Sequence, residues 1–173
     1  SATPALFIPI VGNVLVPLAG VPLGQADWSA AQFGMGLMFW PVVLMLIVVR
    51  IAQQGLWPER LLPAAYIFIA PPAVSGLVVL QFDAPVALAW GLWGMALFSA
   101  LWAASVARRI TELPFGVAHW AMSFPLAALA VLTLRLAATP DGAGLVVPAM
   151  GLLALASLVI LALTLATARG LRA

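Results

Sequence analysis

The sequence predicts an all-α membrane protein that crosses the bilayer six times as three helical hairpins. Three observations carry that prediction. Of the 173 residues, 65% are hydrophobic and only 7% charged, with a mean hydropathy of +1.19, whereas a water-soluble domain of this size carries roughly a quarter charged residues. The few charges fall between apolar runs, most of them near the ~20 residues needed to cross hydrocarbon. Prolines, acids and arginines recur at nearly constant intervals along the chain.

The six predicted spans are Pro4–Ala19, Gln32–Gln53, Leu62–Leu80, Pro85–Ala107, Phe115–Ala137 and Leu145–Ala168. The first is short and interrupted by Pro9, Gly12, Asn13 and Pro17. The second is apolar throughout and holds Pro41. The third carries the pair Pro71 and Pro72, and the fifth has Pro125 at its middle. The fourth and sixth have proline only near their starts, at Pro85 and Pro148. An internal proline removes a backbone donor and crowds the preceding turn, so the first, third and fifth spans are expected to kink or unwind locally. Freed backbone inside a membrane is tolerated where protein buries it or water reaches it. The odd spans are therefore expected to surround a central pathway, with the even ones as an outer ring in which Gly34, Gly36, Gly91 and Gly94 allow close helix packing.

The connections alternate in charge. Asp27, Asp83, and Arg135 with Asp141 mark one side. Arg50, Glu59 and Arg60, then Arg108, Arg109 and Glu112, then Arg169 and Arg172 mark the other. Six of the seven arginines share a side, which the positive-inside rule makes cytoplasmic, together with both chain ends. Pro17, Pro71 and Pro125 recur every 54 residues; Asp27, Asp83 and Asp141 are 56 and 58 apart; Arg50, Arg109 and Arg169 are 59 and 60 apart. One transmembrane domain over 1–173, built from hairpins 4–53, 62–107 and 115–168, follows. Hairpin repeats all enter the bilayer in the same direction, which suits rotation about the membrane normal around a central space.

Composition excludes several functions. There is no cysteine and a single histidine, His119, so thiol chemistry, disulfides and a histidine metal cluster are ruled out, and no cofactor or metal is expected. The arginines are scattered and form no nucleic-acid patch. No acid lies at mid-membrane depth, which removes the usual carboxylate of a proton- or cation-coupled carrier and the parts of a catalytic constellation. The expected partners are the lipid bilayer and small inorganic or organic anions.

Within the fifth span, Phe124 directly precedes Pro125 and is the candidate gate, a hydrophobic plug that narrows the path; packing against a neighbouring helix is its other reading. The 54-residue interval makes Val16 and Ala70, both smaller, its counterparts. Val117, Trp120, Ala128 and Val131 fall near the same helical face. Arg135 lies about three turns, or ~16 Å, beyond Phe124; it either draws anions to the outer mouth or snorkels at a helix end. Asn13 either contacts anions or bonds backbone freed by Pro17. His119 reads as a packing residue. Ser75, Gly76 and Ser123 present small dipoles to an anion or serve helix contact.

The stretches LFIPIVGNVLVPLAGVPLG, ERLLPAAYIFIAPPAVSG and LPFGVAHWAMSFPLAALA are similar to the tellurite-resistance/dicarboxylate transporter family, which includes TehA-like bacterial proteins, plant slow-type anion channels and fungal malate and sulfite transporters. The resemblance implies ten helices in five hairpins around a pore, a trimer, and an occluding phenylalanine on the ninth helix, which falls on Phe124. This chain matches the last three hairpins. Ser1 is not an initiator Met, and upstream residues are expected to have been lost. The function expected is a passive anion channel or facilitator of the bacterial inner membrane, its pore lined at Pro9, Asn13, Pro17, Pro71, Pro72, Val117, Pro125 and Val131. The alternatives are an exporter of sulfite, C4-dicarboxylate or tellurite-related species, and a non-conducting scaffold or fragment.

Overall fold

A computed structural model describes residues 3–170. They form helices and turns, with no strand among them. The α-helices are α1 (Phe7–Gly20), α2 (Ala26–Gln54), α3 (Ala70–Gln81), α4 (Val86–Ala104), the short α5 (Ala107–Thr111), α6 (Ser123–Ala137) and α7 (Val146–Gly170). Each odd span opens as a 3₁₀ helix and widens into an α-helix: Pro4–Leu6 before α1, Glu59–Ile69 before α3, and Val117–Met122 before α6. Of the two expected outcomes, a kink or a local unwinding, the change is one of winding. Pro125 lacks the N–H that the Ala121 carbonyl needs for an α-type bond, which leaves that carbonyl to the tighter i→i+3 pattern. Pro71 and Pro72 fall likewise in the first turn of α3. The Glu59–Ile69 stretch, eleven residues with Pro63 inside, is long for a 3₁₀ helix.

Five of the six spans are long and apolar enough to cross a membrane; the first, Pro4–Gly20, is shorter. Contrary to expectation, α1 runs unbroken through Gly12, Asn13 and Pro17. Helix α2 begins at Ala26, earlier than the apolar run, because Asp27 is favourable in a first turn, where it meets the positive end of the helix dipole. The fourth span ends at Ala104, and Arg108 and Arg109 sit on α5.

Packing sorts the helices into two layers. Helices α1, α3 and α6 lie side by side with α3 in the middle, and each is backed by the helix that follows it in its span pair: α2 behind α1, α4 behind α3, α7 behind α6. In the apolar 18-residue stretch of the Glu59–Gln81 span 72% is buried, against 11%, 17% and 11% in those of Ala26–Gln54, Val86–Ala104 and Pro140–Gly170. The backing helices thus present large apolar side chains such as Met38, Phe98 and Leu158 to their surroundings, a surface suited to lipid and not to water.

Two contacts hold the layers. At one end, the Phe68 ring meets Phe7 and Trp102, each at 5.1 Å between centroids, and Trp57 at 6.2 Å. Nearer the other end, Trp93 Nε1 donates to Thr133 Oγ1 at 3.0 Å, and that hydroxyl donates to the Leu129 carbonyl at 2.7 Å, tying α4 to α6. Close helix approach rests on fewer glycines than expected. At Gly36 an added Cβ meets Val14 Cγ2 at 2.5 Å, and at Gly76 it meets Leu132 at 2.6 Å, whereas nothing lies within 4 Å of one at Gly34, Gly91 or Gly94.

Candidate functional site

The three inner helices share one face, along which two hollows lie in series. The lower one, about 500 Å³, is formed by Ile8, Val11, Gly12 and Leu15 of α1, by Ile67 and Ala70 at the start of α3, and by Trp120, Ala121, Phe124 and Pro125 around the start of α6. Its lining side chains are apolar. The one polar group among them, the Trp120 indole N–H, is turned to Thr167 Oγ1 of α7 at 3.1 Å. Phe124 lines the hollow beside the larger ring of Trp120 and keeps 43% of its surface open. The upper hollow, about 240 Å³, is lined by Leu18 of α1, Leu77, Leu80 and Gln81 of α3, and Val131 and Arg135 of α6.

These linings define the repeat register. Ala70, Leu77 and Gln81 match Phe124, Val131 and Arg135 at the 54-residue interval. Helix α1 follows a different interval: Ile8, Val11 and Leu18 match Ile67, Ala70 and Leu77 at 59 residues. The α1 counterpart of Phe124 is therefore Val11 and not Val16, and Gly12 stands where α3 and α6 have Pro71 and Pro125. The match of Pro17 to the 54-residue interval is a coincidence of spacing.

Several predicted residues lie elsewhere. Pro9 and Asn13 line a separate hollow between α1 and α2, beside Gly36 and Phe39. Asn13 Nδ2 donates to the Pro9 carbonyl at 2.9 Å; the carbonyl that Pro17 deprives of a donor is Asn13's own. Pro17, Pro71 and Pro72 are buried, and Pro72 faces the backing helices beside Trp40 and Gly91. Val117 is 86% exposed and lines neither hollow on the inner face, because six residues wound at 3.0 per turn carry it off the face that 3.6 per turn predicts. His119 is buried, and its Nδ1 accepts the Gly116 N–H at 3.2 Å, capping the 3₁₀ stretch. Ser123 donates to the Trp120 carbonyl at 2.7 Å. Ser75 is buried and lines neither hollow.

The inner face is thus apolar at its middle and carries Gln81 and Arg135 at one end. The voltage-dependent anion channels, the SLAC1 family, match this chain over residues 1–168. The chain belongs to the voltage-dependent anion channel family. It is similar to the S-type anion channels of Arabidopsis thaliana. SLAH2 is 28% identical over 138 residues, covering 78% of this chain and 26% of that protein. SLAH1 is 26% identical over 151 residues, covering 83% and 39%, and SLAH3 25% identical over 170, covering 96% and 26%. The chain thus spans between about a quarter and two fifths of the length of these relatives. No solved structure matches it.

Membership makes this a multi-pass helical membrane protein of a channel family and not an enzyme. Ile8, Val11, Gly12 and Gln81 are among the lining residues that sequence reasoning missed. Gln81 was within reach, since it lies 54 residues before Arg135. The α1 residues were not, because their register differs and no proline marks it.

Proposed function

We propose that the chain forms part of the wall of an anion-conducting pore, with Phe124 as its constriction. The observation that carries this reading is the lower hollow: three inner helices line one apolar groove, and where α1 and α3 offer the small Val11 and Ala70, the third offers the ring of Phe124. A constriction of this kind blocks ions by excluding the water they travel in. The rest of the ring comes from hairpins beyond this chain, in the five-hairpin arrangement that the resemblance implies, and the assembly is a trimer. The arginine asymmetry supports an orientation with both ends of this chain in the cytoplasm, and the membrane proposed is a bacterial inner membrane. Small anions move passively down their gradient, because no span carries a mid-membrane carboxylate for proton coupling.

The test is anion efflux from liposomes. Phe124→Ala is expected to leak chloride and nitrate where the parent holds them, with both proteins shown to be folded. Equal flux in the two sinks the gate assignment. Flux that requires a proton gradient favours the exporter.

A further inference from the structure

We propose that the upper hollow is an oxyanion-binding subsite, formed by the Arg135 guanidinium and the Gln81 amide, through which anions pass on the way to or from Phe124. The proposal deepens the channel reading, and its transport role rests on that reading; its binding chemistry does not.

Arg135 supplies the charge. It is exposed on the inner face of α6 and has no ion pair or hydrogen bond to any described residue. The chain's outer acids, Asp27, Asp83 and Asp141, do not pair with it; the ion pairs among the described residues are Arg108–Glu112 and Arg109–Glu59, both on the opposite side of the membrane in the charge pattern. Gln81, half-buried on the neighbouring helix α3, lines the same hollow, and its amide makes no hydrogen bond to another described residue. Two side chains with donor groups and no partner among the described residues therefore line one hollow from adjacent helices. A snorkelling arginine needs no such companion, and the 54-residue register shows that the companion occupies the equivalent place on α3.

The donor set specifies the ligand. A guanidinium presents paired N–H groups in a planar fork that matches two coplanar oxygens, as in nitrate or a carboxylate. The glutamine NH₂ adds a third donor. The remaining lining, Leu18, Leu77, Leu80 and Val131, is apolar and cannot rehydrate a dianion, so sulfate is penalised. The site suits a monovalent planar oxyanion over a halide.

The experiment uses the purified chain in lipid nanodiscs, with nitrate, chloride and sulfate as probes at matched ionic strength, read as the shift of the thermal unfolding midpoint against anion concentration. Nitrate is expected to stabilise the parent saturably, and chloride and sulfate less. Gln81→Leu should raise the half-saturating nitrate concentration about three- to tenfold, the loss of one hydrogen bond. Arg135→Gln should raise it by more than about tenfold. Arg135→Lys keeps the charge but not the fork and should erase the preference of nitrate over chloride. Nitrate curves unchanged in all three variants overturn the subsite, whatever Phe124→Ala does. Saturable nitrate binding lost in these variants, with no flux from Phe124→Ala, keeps the subsite and sinks the gate.

Discussion

At the scale of single residues, the inner face separates groups that hold the helices from groups left open. Thr133 belongs to the first kind. Its hydroxyl accepts from Trp93 and donates to Leu129 at a contact between α4 and α6 in which Thr133 itself is fully buried. Thr133→Val preserves shape but strands an indole N–H in apolar surroundings. A cost of about 1 kcal/mol is expected, at the upper end of measured interhelical hydrogen bonds in membranes; reversible denaturation in mixed micelles checks it, and the Trp93→Phe, Thr133→Val double variant should recover part of the loss. Phe124 and Arg135 belong to the second kind, with surface open along the shared face and no polar partner among the described residues. Both were legible in the sequence, one as a ring before a proline and the other as the arginine on the acidic side. Gln81 was hidden because an uncharged amide at a span end raises no flag until its neighbour across the helix contact is known.

At the scale of helices, hydropathy located all six spans but could not say how they wind or which small residues touch. Stretches of six to eleven residues are too short for apolar spacing to separate a 3.0 from a 3.6 period, so the 3₁₀ openings were invisible and Val117 was placed on the wrong face. Glycine is equally ambiguous from sequence, since Gly36 and Gly34 differ only in what faces them. The structure separates them by consequence. A Cβ at Gly36 meets Val14 Cγ2 at 2.5 Å and the Ile10 carbonyl at 3.2 Å, and backbone cannot rotate away. Gly36→Ala is therefore expected to push α2 off α1 and cost about 1–3 kcal/mol. At Gly76 the obstacle is the tip of Leu132, which can change rotamer, so Gly76→Ala should cost less. Gly34→Ala, with nothing within 4 Å, should stabilise by about 0.5–1 kcal/mol through helix propensity and a less flexible unfolded chain. Unfolding midpoints of the three variants in one detergent give the order; equal effects would remove the close-packing argument.

At the scale of the whole molecule, the layers and the charges make a joint statement about orientation. The inner row α1–α3–α6 and its backing helices place the basic segments together, as the Arg109–Glu59 pair at 3.4 Å between α5 and the start of the third span shows, while Arg135 stands near Gln81 at the other end of the inner face. If the arginine-rich end is cytoplasmic, the turn after α6 faces outward. The chain has no cysteine, so single thiols report this directly. Asp141 begins the turn that follows α6 and is exposed. Glu112 lies just past α5, and its pair with Arg108 has side chains 92% and 65% exposed for arginine and glutamate; such surface pairs contribute little, so losing it is tolerable. On intact cells, a membrane-impermeant maleimide should label Asp141→Cys and spare Glu112→Cys until the membrane is opened. The reverse pattern would place Arg135 and Gln81 in the cytoplasm. Their subsite would then face anions leaving the cell, with its binding chemistry intact and its place on the path inverted.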